Sequence, residues 1–270
     1  MSESSDDELV VKRLGWASVE VSFGDEFLVV DLFLDNSPLE AFTGELRAPL
    51  LAPERGGEAC GALVTHLHSD HADPAAIAAA IAPGAPVLRP TAAPGEGLDT
   101  IAQLPAEQGL AELGLATDEL EPWQERRLGP FTVTALPAVD GFGDPQVSWS
   151  IEAGGKRVVH MGDTIFHGSW WVIPMRVGPV DLALLPCNGP TVSLPHRQPA
   201  SPYAAAMDPE QAATAAQLMG SPRAMPIHYD AIHSPPAYVQ VDDPAGRFAA
   251  AARERGVEPV VVAAGESVVV

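Results

Sequence analysis

The chain has 270 residues, 46% of them apolar and 19% charged, which suffices to bury a sizeable core. Against 36 Asp and Glu stand only 15 Lys and Arg, a formal charge of -21; such a surface repels phosphate backbones, the longest basic cluster is the pair Arg126-Arg127, and a nucleic acid partner is not expected. Neither a membrane partner nor export is expected, because no apolar run approaches the roughly 18 residues that cross a bilayer and Met1 to Asp7 is acidic where a secretory signal would be basic and then apolar.

Two cysteines, Cys60 and Cys187, are too few for a disulfide framework, so the expectation is reduced thiols in a cytoplasmic protein. The chain opens with β-type runs at Leu9 to Leu14, Ser18 to Phe23 and Phe27 to Leu32, with Gly24-Asp25 as the hairpin signal between the last two. After a loop rich in Pro and Gly, a strand at Ala62 to Thr65 delivers Thr65-His66-Leu67-His68-Ser69-Asp70-His71. Three imidazoles and a carboxylate so close together are the nitrogen and oxygen donors that zinc and similar cations bind. A purely structural zinc site would instead be built mainly of cysteine.

Asp73-Pro74 reads as an N-cap followed by Pro at the first helical position, opening a helix to about Ile81. Pro83 to Gln124 is the least legible stretch, with a short strand near Val87-Leu88 and a helix near Pro105 to Leu113. Strands are predicted at Phe131 to Ala138, Val147 to Glu152 and Arg157 to Met161, and the runs end at Val139-Asp140-Gly141 and Gly162-Asp163-Thr164. The apolar run Val180 to Leu185 enters a Pro-rich loop, and Asp208-Pro209-Glu210-Gln211 opens a helix to about Leu218. A strand from Arg223 to Ile227 ends at His228, a helix runs from Asp243-Pro244 to Arg255, and strands at Val260 to Ala263 and Ser267 to Val270 close the chain. No linker or repeat divides it, so a single domain over residues 1–270 is expected.

His66 to His71, Asp140, Asp163 and His228 each follow the C-terminal end of a predicted strand. In sheets built from β and α units the loops at that edge converge, so one site is a reasonable expectation. His160, inside a strand, reads as structural, whereas His167, on the loop beyond Asp163, is a candidate substrate contact. Trp170 and Trp171 could pack internally or support a homo-oligomer.

His66-x-His68-x-Asp70-His71 resembles the His-x-His-x-Asp-His motif of the metallo-β-lactamase fold superfamily. Gly15-Trp16-Ala17-Ser18, Val30-Asp31, Gly162-Asp163-Thr164 and Pro226-Ile227-His228-Tyr229 fall where similar motifs fall in that family. The short opening and Pro-Ile-His-Tyr resemble the metal-dependent hydrolases grouped with L-ascorbate-6-phosphate lactonase. The resemblance implies an α/β fold, the four-layer αββα sandwich, with two divalent metal ions, Zn2+ or Mn2+, at one edge. It assigns His66 and His68 to the first metal, Asp70, His71 and His228 to the second, and Asp163 as the bridging carboxylate.

The family's third histidine for the first metal follows Pro-Ala-x, and here Pro137-Ala138-Val139 leads to Asp140. A carboxylate can replace imidazole on zinc, lowering the Lewis acidity of the ion and favouring a harder one such as manganese. Otherwise Asp140 is a loop residue and the first site binds weakly, with Asp144 as a substitute.

The ligand set implies a binuclear metallo-hydrolase in which a metal-activated hydroxide attacks a small-molecule ester, lactone or phosphoester, with Asp70 accepting a proton. The alternatives are a nuclease or phosphodiesterase of the same fold and a non-catalytic metal-binding protein with a degraded first site.

Overall fold

The structure is a computed structural model that describes residues 8–270; the acidic Met1 to Asp7 read above lies outside them. A meander of β1 (Leu9–Gly15), β2 (Ser18–Phe23) and β3 (Glu26–Val30) starts the first sheet. The short helix α1 (Glu40–Thr43) follows in the connecting loop. Strands β4 (Ala62–Leu63), β5 (Val87–Arg89) and β6 (Thr117–Glu119) then add in parallel, with α2 (Pro74–Ala80) and α3 (Leu104–Glu112) as crossovers.

The second sheet opens with a second meander: β7 (Glu125–Leu128), β8 (Phe131–Pro137), β9 (Val147–Ala153) and β10 (Lys156–His160). It continues in parallel through α4 (Val172–Val177), β11 (Leu182–Pro186), α5 (Pro209–Leu218), β13 (Arg223–Ile227), α6 (Pro244–Glu254) and β15 (Glu258–Pro259). A small ribbon pairs β12 (Thr191–Val192) with β14 (Tyr238–Val239). The last strand, β16 (Ser267–Val269), returns to pair with β1, so both ends of the described chain meet in the first sheet.

Strand periodicity places the layers. Phe27 and Val29 point outward to Ala76, Ile77 and Leu110 of α2 and α3, whereas Leu28 and Val30 point inward. The inner slab joins Val19, Val21 and Leu63 to Phe131, Trp149, Val158 and Leu184 of the second sheet. On that sheet's outer face Val159, Ala183 and Leu185 pack against Ala212, Ala215 and Ala216 of α5 and Phe248 of α6. These slabs make the α/β four-layer αββα sandwich that the resemblance implies, and both faces of the central strands are apolar because both are covered.

Two edge strands, one inside the poorly legible stretch Pro83 to Gln124 and one just after it, carry no strand signal in the sequence. Strands β6 (Thr-Asp-Glu) and β7 (Glu-Arg-Arg-Leu) close opposite sheets with charged, mostly exposed residues, a composition that suits an edge and disguises a strand. The strand expected at Val260 to Ala263 is instead Glu258–Pro259: the Val260 amide still donates to Ala224 O at 2.8 Å, after which the chain turns off towards β16. Trp170 is buried in the outer core and Trp171 is exposed. Cys60 and Cys187 are both free thiols, and among the described residues no helix is long and apolar enough to cross a membrane.

The helix signals read from sequence hold at atomic level. Asp73 caps α2 by accepting from the Ala76 amide at 3.0 Å, and it also accepts from the amides of Leu34 and Asp35. Asp208 and Gln211 form a reciprocal capping box on α5. Asp208→Ala is expected to lower stability by about 1 kcal/mol, read as a fall in the urea midpoint at unchanged slope.

Candidate metal centre

Six strands running in the same sense within their sheets end at one rim. Asp31 follows β3, His66 to His71 follow β4, Asp140 follows β8, Asp163 follows β10, Asn188 follows β11 and His228 follows β13. The sheets are laced together at this rim by main-chain hydrogen bonds, from Val147 N to Thr65 O at 2.9 Å and from His228 N to Trp16 O at 3.0 Å.

Two ligand groups result. His66, His68, Asp140 and Asp163 each bring one donor atom within 4.8 Å of the others, and so do Asp70, His71 and His228. In the first group His66 Nε2 lies 2.9 Å from His68 Nδ1 and 3.6 Å from Asp163 Oδ1, and His68 Nδ1 lies 4.0 Å from Asp140 Oδ1. In the second, Asp70 Oδ2 lies 3.6 Å from both His71 Nε2 and His228 Nε2.

The four imidazoles and Asp140 are held from behind, and Asp70 and Asp163 through the oxygens that face the cluster. The His71 ring donates through Nδ1 to Asp31 Oδ2 at 2.8 Å, and His228 Nδ1 lies 3.1 Å from Asn188 Oδ1. Thr65 Oγ1 contacts His66 Nδ1 at 3.1 Å, and His68 Nε2 donates to Asp144 Oδ2 at 2.8 Å. Asp140 Oδ2 accepts from the amides of Phe142 and Asp144, which leaves Oδ1 facing the cluster. Gln146 donates to Asp163 Oδ1 at 2.7 Å and the Trp16 indole to Asp70 Oδ2 at 3.1 Å. Such outer contacts fix the tautomer and direction of metal ligands.

The donors fit divalent cations on a test internal to the structure. Asp140 Oδ1, His71 Nε2 and His228 Nε2 are buried with no hydrogen-bond partner, each a cost of about 1–3 kcal/mol that coordination removes. Mixed imidazole and carboxylate donors suit zinc and manganese alike.

The electrostatics agree. Burial favours the neutral ring of His68, but its Asp144 hydrogen bond and the charges of Asp140, Asp163 and Asp70 outweigh it and push it up to about 9. His71 is likewise penalised by burial yet raised to about 10 by Asp70 and Asp31. Burial raises Asp140 to about 6, against the pull of His68. Asp70, although buried, is held well below the usual carboxylate range by His71 and His228. Burial and the neighbouring imidazoles depress His66.

The backbone is strained here as well. Trp16 (φ 51°), Asp31 (φ 48°) and His228 (φ 57°) all adopt left-handed conformations that side chains rarely take. Gly162, at φ 59°, has no room for a Cβ, which would meet Thr65 Oγ1 at 2.7 Å; glycine there lets the Asp163 turn press against the histidine loop.

Two sequence candidates lie apart from the cluster. His160 is buried, bonded through Nε2 to Ala17 O at 2.8 Å, and kept neutral chiefly by burial. His167 stacks on Trp170 with ring centroids 4.0 Å apart and does not line the cavity over the cluster. Asp144 sits behind His68 as its hydrogen-bond acceptor. Sequence reading named Trp16 and Asp31 only as parts of motifs, and it passed over Asn188 and Gln146; for Asn188 the signal was available, two residues beyond an apolar strand.

A profile of the beta-lactamase superfamily domain matches residues 29–229. A UPF0173 metal-dependent hydrolase of Symbiobacterium thermophilum is 28% identical over 264 residues, covering 95% of this chain and 98% of its own. One from Thermus thermophilus is 29% identical, with 95% and 96% covered. The metallo-β-lactamase fold protein YhfI of Bacillus subtilis superposes with a TM-score of 0.67 at 18% identity over 98% of this chain and 100% of that one, a likeness of fold.

Asp31→Asn, which keeps the shape but removes the charge facing His71 and Thr65, is expected to weaken zinc binding about 10- to 100-fold in competition with a chromophoric chelator. Because His68 and His71 carry protons at neutral pH and must lose them to coordinate, zinc binding should release protons at pH 7. Affinity should rise with pH towards 9, by up to about tenfold per unit for each proton displaced; calorimetry in buffers of different ionisation enthalpy reads the proton count. With its 201-residue profile match and its folded site in view, the chain belongs to the beta-lactamase superfamily.

Proposed function

We propose that this protein is a metal-dependent hydrolase with a binuclear centre that cleaves a small-molecule ester, lactone or phosphoester. One observation carries the reading: two groups of ligands share one rim, and three of their donor atoms are buried and unpaired until a cation meets them. Its full-length relatives bear the name of metal-dependent hydrolases, which supports it.

In this reading His66, His68, Asp140 and Asp163 would hold one cation and Asp70, His71 and His228 the other, with Asp163 the carboxylate that the family resemblance assigns to both. Bound divalent cations supply Lewis acidity and bring the pKa of a water towards neutrality. Asp70, His68, Asp163 and His228 form the floor of a cavity of about 530 Å³, a size that suits a small molecule. Asp70 reaches the substrate from that floor, but a carboxyl held so acidic is a weak base. Its first task is to orient and ligate, and a role as proton acceptor comes second. The cavity supports a small-molecule partner, and the acidic surface argues against nucleic acid.

Purified protein reconstituted with zinc or manganese should hold about two ions per chain and hydrolyse at least one ester, lactone or phosphoester. Less than about one tightly bound ion, or no turnover across such a panel, would overturn the reading. Asp140→Ala should lower the metal content towards one per chain and cut kcat by about 100-fold or more, whereas Asp140→His should restore two ions. Unchanged metal content and activity in Asp140→Ala would remove Asp140 from the ligand set.

A further inference from the structure

The cavity over the cluster has a polar floor and apolar walls. Leu39 and Phe42 of the α1 segment, Ile101, Leu194, Ile232 and Tyr238 line its sides. These come from the loop after β3, the loop before α3, the Pro-rich loop after β12, and the chain beyond His228. Among the described residues that line it, Arg197 is the one side chain of fixed positive charge, and it is already engaged. Its Nη1 donates to Phe142 O at 2.8 Å and its Nη2 lies 3.3 Å from Asp144 Oδ1. A phosphoryl group is ordinarily held by several guanidinium or ammonium donors, and the walls offer a single guanidinium whose Nη1 and Nη2 are engaged and whose Nε alone has no partner.

Asp140 acts in the same direction. Three carboxylates, Asp70, Asp140 and Asp163, face two divalent cations, so the centre would keep one net positive charge where a histidine at position 140 would leave two. Each anionic oxygen of a substrate would thus meet less attraction on the floor and, on the walls, one guanidinium already paired with Asp144, in a chain of formal charge -21.

We infer that the cavity selects an uncharged carboxylic ester or lactone bearing an apolar chain, with the ester group on the floor and the chain against the Leu39, Phe42 and Leu194 walls. This rests on the hydrolase reading above and narrows its substrate class. In the reaction, the oxygen of water bonds to the acyl carbon and the acyl C–O bond breaks. The leaving alkoxide takes one proton of that water, and the other is released as the product acid ionises.

The test joins turnover to binding. Metal-loaded enzyme is given p-nitrophenyl esters with acyl chains of two to eight carbons, p-nitrophenyl phosphate and bis(p-nitrophenyl) phosphate. Binding of unreactive γ-lactams with alkyl chains of the same lengths is followed by calorimetry on loaded and on chelator-treated protein. Expected is a rise in kcat/KM of about fourfold per methylene until the wall is filled, with lactam affinity rising in parallel and a heat-capacity change that grows more negative. Leu194→Asp should flatten both series, and the wild-type lactam series stands alone if that variant fails to fold. Phosphoesters cleaved as fast as the longest ester, or lactam affinity independent of chain length, would overturn the inference. Chain-dependent lactam binding without turnover of any substrate would support the apolar-ligand cavity and overturn the hydrolase reading instead.

Discussion

Everything at the rim depends on the carboxylate of Asp31. It is completely buried and accepts from the Thr65 amide and the Thr65 hydroxyl at 2.7 Å and from His71 Nδ1 at 2.8 Å. Its main-chain carbonyl accepts from Ser18 Oγ, which in turn accepts from the Phe33 amide. One side chain therefore clamps the end of β3 to the start of the histidine loop and sets the tautomer of His71. A buried anion is tolerable only when several donors surround it, so the loop and the clamp stabilise each other. The left-handed backbone of Asp31 is the local cost of that arrangement.

The same design recurs round the cluster with different chemistry. Asn188 behind His228, Thr65 behind His66 and Asp144 behind His68 each meet the ring nitrogen opposite the cluster. The orienting groups are mixed, carboxylates behind His68 and His71 and neutral groups behind His66 and His228. The rings of His68 and His71, backed by carboxylates, are driven upward, so proton and metal compete there.

Asp140 links the centre to the cavity above it. Its Oδ2 closes a tight turn by accepting from the amides of Phe142 and Asp144, a role that imidazole, with one acceptor nitrogen, would fill poorly while also facing the cluster. That turn presents Phe142 to the cavity and sets Asp144 between His68 and Arg197. Asp140 thus joins the ligand cluster to the turn that carries Phe142 and Asp144, and through Asp144 to Arg197.

The sequence by itself determined most strands and helices in their order, because apolar β-runs alternate with capped helices, and the resemblance of its motifs to a known family implied the αββα sandwich. It also determined the cluster from His66 to His71 and its partners Asp140, Asp163 and His228, because each sits where a strand runs out. Edge strands β6 and β7 escaped it, since charged residues at an edge lack the periodicity that betrays buried strands. Only the tertiary structure decided that Asp31, Asn188, Gln146 and Trp16 orient the ligands, that His167 packs on Trp170, and that Arg197 is paired. Apart from His167 on Trp170, these are contacts between residues far apart in sequence, as are His160 with Ala17 and His228 with Asn188. Local sequence governs which backbone forms; the direction of a side chain is settled by what the packed sheets bring against it.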